Sequence, residues 1–350
     1  MPSGPTGRPA TIYDVAARAK LSIATVSRVL QGTGPVSAKA RARVDQAAQE
    51  LNYVPLRAAR SLAVQRHEAH GLVLPDLSGP FYADWLMGYE RWAGEHGQSV
   101  VITVMHGNPD PRRSVRDLAS RVDGIVVHGN ALDLATIQDL RGARVPVVLV
   151  AHAPVAGCDS VRSESAGSAE QLTTRLLDHG RTNLLFVGDP DGSYDVSERY
   201  VGFAKALRNR GLDAPEPARV PLTEAGGRQF TETVLQAIES GRPRPDGLVC
   251  ANDELALAAM TTLNSKGVGV PDDIVVTGWD DVMAARYVSP GLTTVRQPMA
   301  ELGRMAAERL HERVTGTRTR ARNDVLATQL VLRDSCGTHA PDWGGGVGDE

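Results

Sequence analysis

From about residue 70 the chain alternates short apolar runs with helical stretches, and this alternation limits its fold more than any other feature. GLVLP (71–75), SVVITVM (99–105), GIVVH (124–128) and VPVVLVA (145–151) have the character of parallel strands buried on both faces. They predict one doubly wound unit ending near Ala166. A second series, NLLFVG (183–188), ARVPL (218–222), GLVCAND (247–253) and IVVTGWD (274–280), predicts another, with helices over Ser197–Arg210 and Asp253–Lys266 between its strands. Leu292–Pro298, a helix over Ala300–Thr315 and a strand over Val325–Val331 are too little for a third such unit. With 350 residues, 42% of them apolar, the chain has material for two lobes and one smaller body.

That smaller body begins in TIYDVAARAKLSIATVSRVL, residues 11–30. Thr11 followed by Asp14 is a capping-box-like helix start, and Ile12, Val15, Ala16 and Ala19 recur at helical spacing. Ser22 caps a second helix with Val26, Val29 and Leu30 inward and Ile23, Ala24, Thr25, Ser27 and Arg28 outward. The outward set suits a DNA groove: hydroxyls reach phosphates, small apolar groups meet thymine methyls, and arginine forks onto guanine. Two short helices joined by a three-residue turn also occur in ordinary bundles, so the pattern alone leaves both readings open. Ser37 caps a third helix running to about Leu51, with Lys39, Arg41 and Arg43 outward. A short basic segment follows, from Asn52 to Ala63. It is too short to be a stable helix alone in water, so its ordering should depend on DNA or a second chain.

Charge is segregated in the same way. Residues 1–66 hold 10 Lys or Arg against 3 Asp or Glu, a net +7, whereas the remainder holds 28 against 38, a net −10. A basic head on an acidic body fits a DNA module joined to something else. Cys158, Cys250 and Cys336 are odd in number and widely spaced, which argues for reduced thiols and against a disulfide frame or a metal site. The N-terminus lacks the apolar core of a signal peptide, and no run approaches a membrane span, so a cytoplasmic protein with no membrane association is expected.

TIYDVAARAKLSIATVSRVL, followed by VSAKARARVDQAAQELNYVPLRAARSLA, resembles the headpiece and hinge helix of the LacI/GalR family of bacterial transcription regulators. RVDGIVVHG, DHGRTNLLFVGD, ERYVGFAKAL, GLVCANDELALAAM, IVVTGWDDV, PGLTTVRQP and ELGRMAAERL resemble that family's effector core, which has the fold of periplasmic sugar-binding proteins. The likeness spans Ala10 to about Asp334. It implies an all-α helix-turn-helix headpiece plus an α/β two-lobed core of two doubly wound parallel sheets. The implied divisions are a disordered N-terminus (1–9), a DNA-binding domain (10–54), a hinge helix and linker (55–67), an effector-binding core (68–337) and a disordered tail (338–350). Within the core, the first lobe takes about 68–167 and 297–324, and the second about 168–296 and 325–337.

By the same likeness Ile23, Ala24 and Arg28 read bases, Arg57 and Arg60 lie near the backbone, and Leu62 is a minor-groove wedge. The capping hydroxyls of Thr11, Ser22 and Ser37, with Thr25, Ser27 and Lys39, complete the expected DNA-facing set. Lys20 departs from the family's usual glycine at the turn. Where positive φ is required there, lysine costs on the order of 1 kcal/mol. The implied molecule is a homodimer on a palindromic double-stranded operator, acting as a repressor controlled by a small effector.

Ligands of such sheets bind outside the carboxyl ends of the strands. That rule selects Asp76 and Phe81–Tyr82 after the first strand, the loop from Asp189 to Arg199, Asn252–Asp253, and Trp279, Asp280 and Asp281. Carboxylates, an amide, a guanidinium and flat rings suit a sugar or similar polyol. The resemblance assigns Arg199, Asn252 and Asp280 to hydroxyl binding, places Gln297 near a crossover, and offers Phe81 or Tyr82 for stacking. Asp253 is read as a helix cap. RSESAG (162–167) stands where the family often has an Asp-Asn pair, so Ser163 and Glu164 are expected to alter one wall of the cleft. No nucleotide-binding, zinc-protease or nucleophile-elbow motif occurs in a suitable context, so no catalytic residue, metal or cofactor is expected. The alternatives are a sugar-processing enzyme or a solute-binding protein built on the same core.

Overall fold

The computed structural model describes residues 10–31, 34–54 and 66–337. The chain forms two compact units that divide between Glu68 and Ala69. The expected hinge positions Arg57, Arg60 and Leu62, the segment 1–9 and the tail 338–350 lie outside the described residues.

In the first unit, α1 (Ile12–Ala19) opens on a full capping box: the Thr11 backbone N–H and hydroxyl donate to Asp14 at 2.8 and 2.7 Å. It ends at Lys20, whose φ of 52° and ψ of 48° are left-handed, so lysine carries the strain that glycine would avoid. The Arg43 guanidinium donates to the Lys20 carbonyl at 3.3 Å and ties this turn to the third helix. Ser22 accepts from the Thr25 N–H at the start of α2 (Ile23–Gln31), and Ser37 accepts from the Ala40 N–H at the start of α3 (Ala38–Glu50). The core is small: Val15, Ala16, Ala19, Val26, Val29, Val44 and Ala47. Alanines at three of those seven positions let the helices approach closely.

The second unit has two lobes. In chain order its elements are β1 (Ala69–Leu74), α4 (Phe81–Glu95), β2 (Ser99–Val104), α5 (Pro111–Ala119), β3 (Gly124–His128), α6 (Leu134–Gly142), β4 (Val147–Val150) and β5 (Asp159–Ser163). There follow α7 (Ala166–Asp178), β6 (Leu184–Val187), α8 (Tyr194–Asn209), α9 (Glu224–Glu239), β7 (Gly247–Cys250), α10 (Asp253–Ser265), β8 (Val275–Thr277) and α11 (Ala284–Tyr287). Last come β9 (Thr294–Arg296), α12 (Met299–Thr315), β10 (Asn323–Leu326) and β11 (Gln329–Val331). The first lobe is a parallel sheet in the order β10-β5-β4-β3-β1-β2, and the second a parallel sheet β6-β7-β8, while β9 and β11 pair antiparallel.

Strand alternation explains why the first sheet reads as unbroken apolar runs. Leu72 and Leu74 pack toward α4 and α12, and Val73 packs to the opposite face with Val115, Leu118, Ile137 and Leu140 of α5 and α6. Glycines set the closest helix contacts. A Cβ on Gly88 would lie 2.0 Å from the Ala300 carbonyl oxygen, and one on Gly303 would lie 2.0 Å from that of Trp85, so α4 and α12 meet backbone to backbone. Gly202 does the same for α8 against α7, its Cβ position being 2.0 Å from the Ala166 oxygen.

Three expectations are corrected. ARVPL (218–222) is not a strand: Ala218 alone bridges Val187, because Pro217 and Pro221 lack the N–H groups a ladder needs. The single strand expected over Val325–Val331 is two. β10 completes the first sheet beside β5, and β11 pairs with β9 in the second lobe, so the chain changes lobe at Ala327–Thr328 rather than before Val325. β5, which the apolar pattern missed, is polar but satisfied: buried Asp159 binds Arg318, and the Ser160 hydroxyl donates to Asn323 at 2.8 Å.

The chain crosses between lobes at Glu164–Ser165, Gln297–Pro298 and Ala327–Thr328. The crossings are linked, the Thr328 hydroxyl donating to the Glu164 carbonyl at 3.1 Å and pairing with the Ser168 hydroxyl at 2.8 Å.

Candidate DNA-reading surface and ligand cleft

On α2, Ile23, Ala24 and Arg28 are exposed, and Thr25 and Ser27 are half-buried. Ile23 keeps 43% of its surface in solvent, a cost in water that contact with an apolar base edge would remove. The Arg28 Nε donates to the Ala24 carbonyl at 3.2 Å, which lays the side chain along the helix. The hydroxyls of Thr11, Ser22 and Ser37 act as helix caps. Each therefore orients a positive helix end as well as offering a hydroxyl. Lys39 is exposed in the first turn of α3. Tyr13, exposed to 67% at the start of α1, was not singled out by its pattern, though an aromatic ring left in water is the signal that could have found it.

In the core, a cavity of about 270 Å³ opens between the lobes at the carboxyl ends of the strands. Phe81, Tyr82, Arg199, Asn252 and Asp280 all line it, as the strand-end rule anticipates. Trp279 and Gln297 do not; they support the residues that do. Trp279 is 2% exposed and lies under the Arg199 guanidinium, 4.6 Å from ring centroid to Cζ. The Gln297 Nε2 donates to Asp280 Oδ1 at 2.6 Å.

Arg199 dominates the second-lobe wall. It is 5% exposed, donates to the Ala251 carbonyl at 2.5 Å, and has no partner for its Nε among the described residues. Burial lowers its pKa, and Asp280 and Asp195 oppose that shift. Burial raises the carboxyls of Asp195 and Asp280 above the usual range, with Arg199 pulling each back. Glu254 is also raised by burial, with Glu224 and Asp76 adding repulsion. Asp76 is depressed instead, because the Ser78 and Leu77 N–H groups donate to its carboxylate. Asp76, Asp195, Glu254 and Asp280 thus line the cavity together with Arg199, and of these Asp280 and Asp195 act on its guanidinium. The cleft offers carboxyl, amide and guanidinium groups to a neutral, hydroxyl-rich ligand.

Asn252, rather than Asp253, caps α10. Its Oδ1 accepts from the Leu255 N–H at 3.0 Å and its Nδ2 donates to the Leu222 carbonyl at 3.2 Å, leaving one lone pair and one hydrogen for a ligand. Asp253 is fully buried and accepts instead from Thr294 at 2.6 Å and from the Val282 N–H at 2.9 Å. It braces the backbone beneath Asp280, which holds a φ of 118°, a conformation rare outside glycine. Glu164 is likewise occupied: its carboxylate caps α7 through the Gly167 and Ser168 N–H groups at 2.6 and 3.0 Å, and it does not line the cavity.

The first-lobe wall is aromatic. Phe81, Tyr82 and Trp85 place their rings 5.4–5.6 Å from His128, each edge to face. Burial pushes the Tyr82 phenol up to about 12 and the His128 imidazole down to about 4. His128 is 5% exposed, lines the cavity, and has no hydrogen-bond partner on either ring nitrogen among the described residues. Sequence reasoning did not select it, although it ends β3, where the strand-end rule applies. Asp195 was missed too; its signal is the four-residue spacing before Arg199, which puts both on one face of α8. At the mouth of the cleft, Asn130 Nδ2 of the first lobe donates to the Gly192 carbonyl of the second at 2.7 Å.

Among the described residues, no group of three or more His, Cys, Asp or Glu is arranged to hold a metal ion, and no helix is long and apolar enough to cross a membrane. Cys158, Cys250 and Cys336 are free and buried.

A helix-turn-helix unit joined to a two-lobed core with a ligand-sized cleft defines the class of ligand-responsive DNA-binding regulators. Residues 11–55 match the family of bacterial regulatory proteins named for lacI, and residues 173–336 match the periplasmic binding protein-like domain. The repressor PurR of Photobacterium profundum is 31% identical over 333 residues, covering 93% of this chain and 98% of the relative. The Lac repressor dimer bound to operator and an anti-inducer superposes with a TM-score of 0.82 at 28% identity, covering 95% of this chain and all of that one. The regulator CelR in complex with cellobiose gives 0.71 at 30% identity, covering 93% and 99%. The chain belongs to the lacI family of bacterial regulatory proteins, and is a DNA-binding transcription regulator.

Proposed function

We propose that this regulator is a dimeric repressor whose hold on a palindromic operator is set by an uncharged sugar or polyol in the core cleft. The observation that carries this reading is the buried Arg199, seated on Trp279 beside Asp195 and Asp280 in a cavity that Glu254 and the aromatic wall also line. Such a site pairs vicinal hydroxyls with ionic groups and gives the ring's apolar face a stacking surface. The structures of relatives with cellobiose, and with operator DNA as a dimer, support the same reading. Ile23, Ala24 and Arg28 read base edges, the capped helix starts at Thr11, Ser22 and Ser37 and the Lys39 ammonium face phosphates, and Arg57, Arg60 and Leu62 contribute at the operator centre. Ligand closure of the cleft reorients the lobes and alters operator affinity, a coupling typically of about 1–3 kcal/mol. The ligand is bound and released unchanged in a cytoplasmic protein.

A thermal-shift screen of neutral sugars, polyols and nucleosides tests the proposal, because a ligand raises the melting temperature according to its affinity and concentration. At least one neutral compound stabilises the wild type, fails to stabilise Arg199→Gln, and changes wild-type operator affinity while leaving that of Arg199→Gln unaltered. A panel giving no Arg199-dependent shift refutes the reading.

A further inference from the structure

A second cavity, of about 390 Å³, lies in the first lobe away from the cleft. Its wall contains Arg141 and Arg144 at the end of α6, Arg313 in the last turn of α12, and Arg318 just beyond, with Val147 and Cys158 from the starts of β4 and β5. All of these lie at the amino-terminal edge of the sheet, the edge opposite the effector cleft and the one at which β1 begins.

Two of the four guanidinium groups are fixed from behind. Asp159, fully buried, accepts a fork from Arg318 at 2.9 and 2.8 Å and lies 3.8 Å from Arg313, and Glu312 takes the Arg318 Nε at 2.8 Å. The other two, Arg141 and Arg144, have no carboxylate partner among the described residues. Gly157 makes room for Arg141: a Cβ there would lie 2.3 Å from the arginine's Nη2. Arg144 itself holds a strained backbone, with φ at 61°.

The carbonyl ends of α6 and α12 attract cations, each with about half a negative charge. Together with Asp159 and Glu312 they supply about three negative charges against four guanidinium groups, which leaves about one positive charge in excess. Arginines crowded round a cavity without full compensation repel one another, and a tetrahedral oxyanion with several acceptor oxygens relieves that repulsion through forked hydrogen bonds.

We propose that this arginine-lined cavity is a phosphate-binding site, distinct from the effector cleft. The cleft is lined by four carboxyl groups and one arginine, whereas the described lining of this cavity has four arginines and no carboxyl group. The phosphate has two sources, a free phosphorylated metabolite or the backbone of bound DNA, and the shared chemistry is a phosphoryl oxyanion held by arginine forks.

The test uses the full-length protein and an R141Q/R144Q variant. These two positions are chosen because removing Arg313 or Arg318 would strip a buried carboxylate of its partners. Inorganic pyrophosphate is titrated calorimetrically at constant ionic strength against chloride, and a non-specific duplex is titrated from about 50 to 200 mM salt. A free metabolite as the source makes the variant bind pyrophosphate about tenfold or more weakly, with its duplex salt slope unchanged. DNA as the source lowers the slope of log affinity against log salt by about one to two in the variant. Wild type and variant that match in both titrations overturn the proposal, whether or not pyrophosphate binds elsewhere. The neutral-ligand reading of the cleft stands or falls separately, on its dependence on Arg199.

Discussion

His128→Phe separates two consequences of placing an imidazole in an aromatic wall. The ring is buried with both nitrogens unpartnered, and its pKa falls from 6.5 to about 4 because burial disfavours the cation. A folded-state value below the unfolded one means that the neutral ring's contribution to stability is present above pH 6.5. It is lost as the pH falls toward 4, where the unfolded chain takes up a proton that the folded chain refuses. The difference of about 2.5 units corresponds to about 3 kcal/mol. Phenylalanine fills nearly the same space and binds no proton, so the stability advantage of His128→Phe over wild type should widen by about 3 kcal/mol between pH 6.5 and 4. Near pH 7.5 the variant should already be more stable by about 1–3 kcal/mol, since an unpaired buried polar atom carries a desolvation cost of that size. Ligand binding should move the other way: losing a hydrogen bond and stranding a ligand hydroxyl weakens the best neutral ligand by roughly five- to a hundredfold. Urea unfolding of the ligand-free proteins at several pH values, followed by circular dichroism, measures the first effect, and calorimetry measures the second. A stability gap that does not change with pH refutes the buried neutral imidazole, and an unchanged ligand affinity refutes its use in recognition.

Lys20→Gly should stabilise the DNA-binding unit by about 1 kcal/mol, because the left-handed turn suits glycine; thermal unfolding of the two proteins measures the gain. Gly303→Ala should destabilise the core by several kcal/mol, because its Cβ would lie 2.0 Å from the Trp85 carbonyl oxygen, and the loss would appear as a lower urea midpoint. Leu62→Ala should weaken specific operator binding at fixed salt while leaving the melting temperature of the core unchanged, measured by fluorescence anisotropy with operator and scrambled duplexes.

Much of the fold was legible because its strands are apolar and covered on both faces, so that β1, β3 and β4 announce themselves as short hydrophobic runs. β5 did not, because its polar side chains are satisfied by residues more than 150 positions away, Asp159 by Arg318 and Ser160 by Asn323. The division of Val325–Val331 into β10 and β11 was hidden for a related reason: adjacent residues pair with different sheets, and local pattern carries no record of that. In the cleft, the strand-end rule placed Phe81, Tyr82, Arg199, Asn252 and Asp280 at the cavity. It could not distinguish a residue that lines the cavity from one lying directly beneath, as Trp279 lies under Arg199, while Gln297, which the resemblance placed near a crossover, sits at one and bonds Asp280. His128 escaped because its significance lies in what it lacks, a partner for either nitrogen, and a sequence does not show that.

The three strands of chain that join the lobes restrict the motion open to them. A single tether would permit swivelling in any direction, whereas three, two of them stitched together through Thr328, Glu164 and Ser168, leave folding about one line as the easy displacement. The remaining tether carries Gln297, whose amide is bonded to the cleft carboxylate of Asp280. The bond joins a carboxylate that lines the cavity to the chain at a lobe crossing, so a change at the one would be passed to the other.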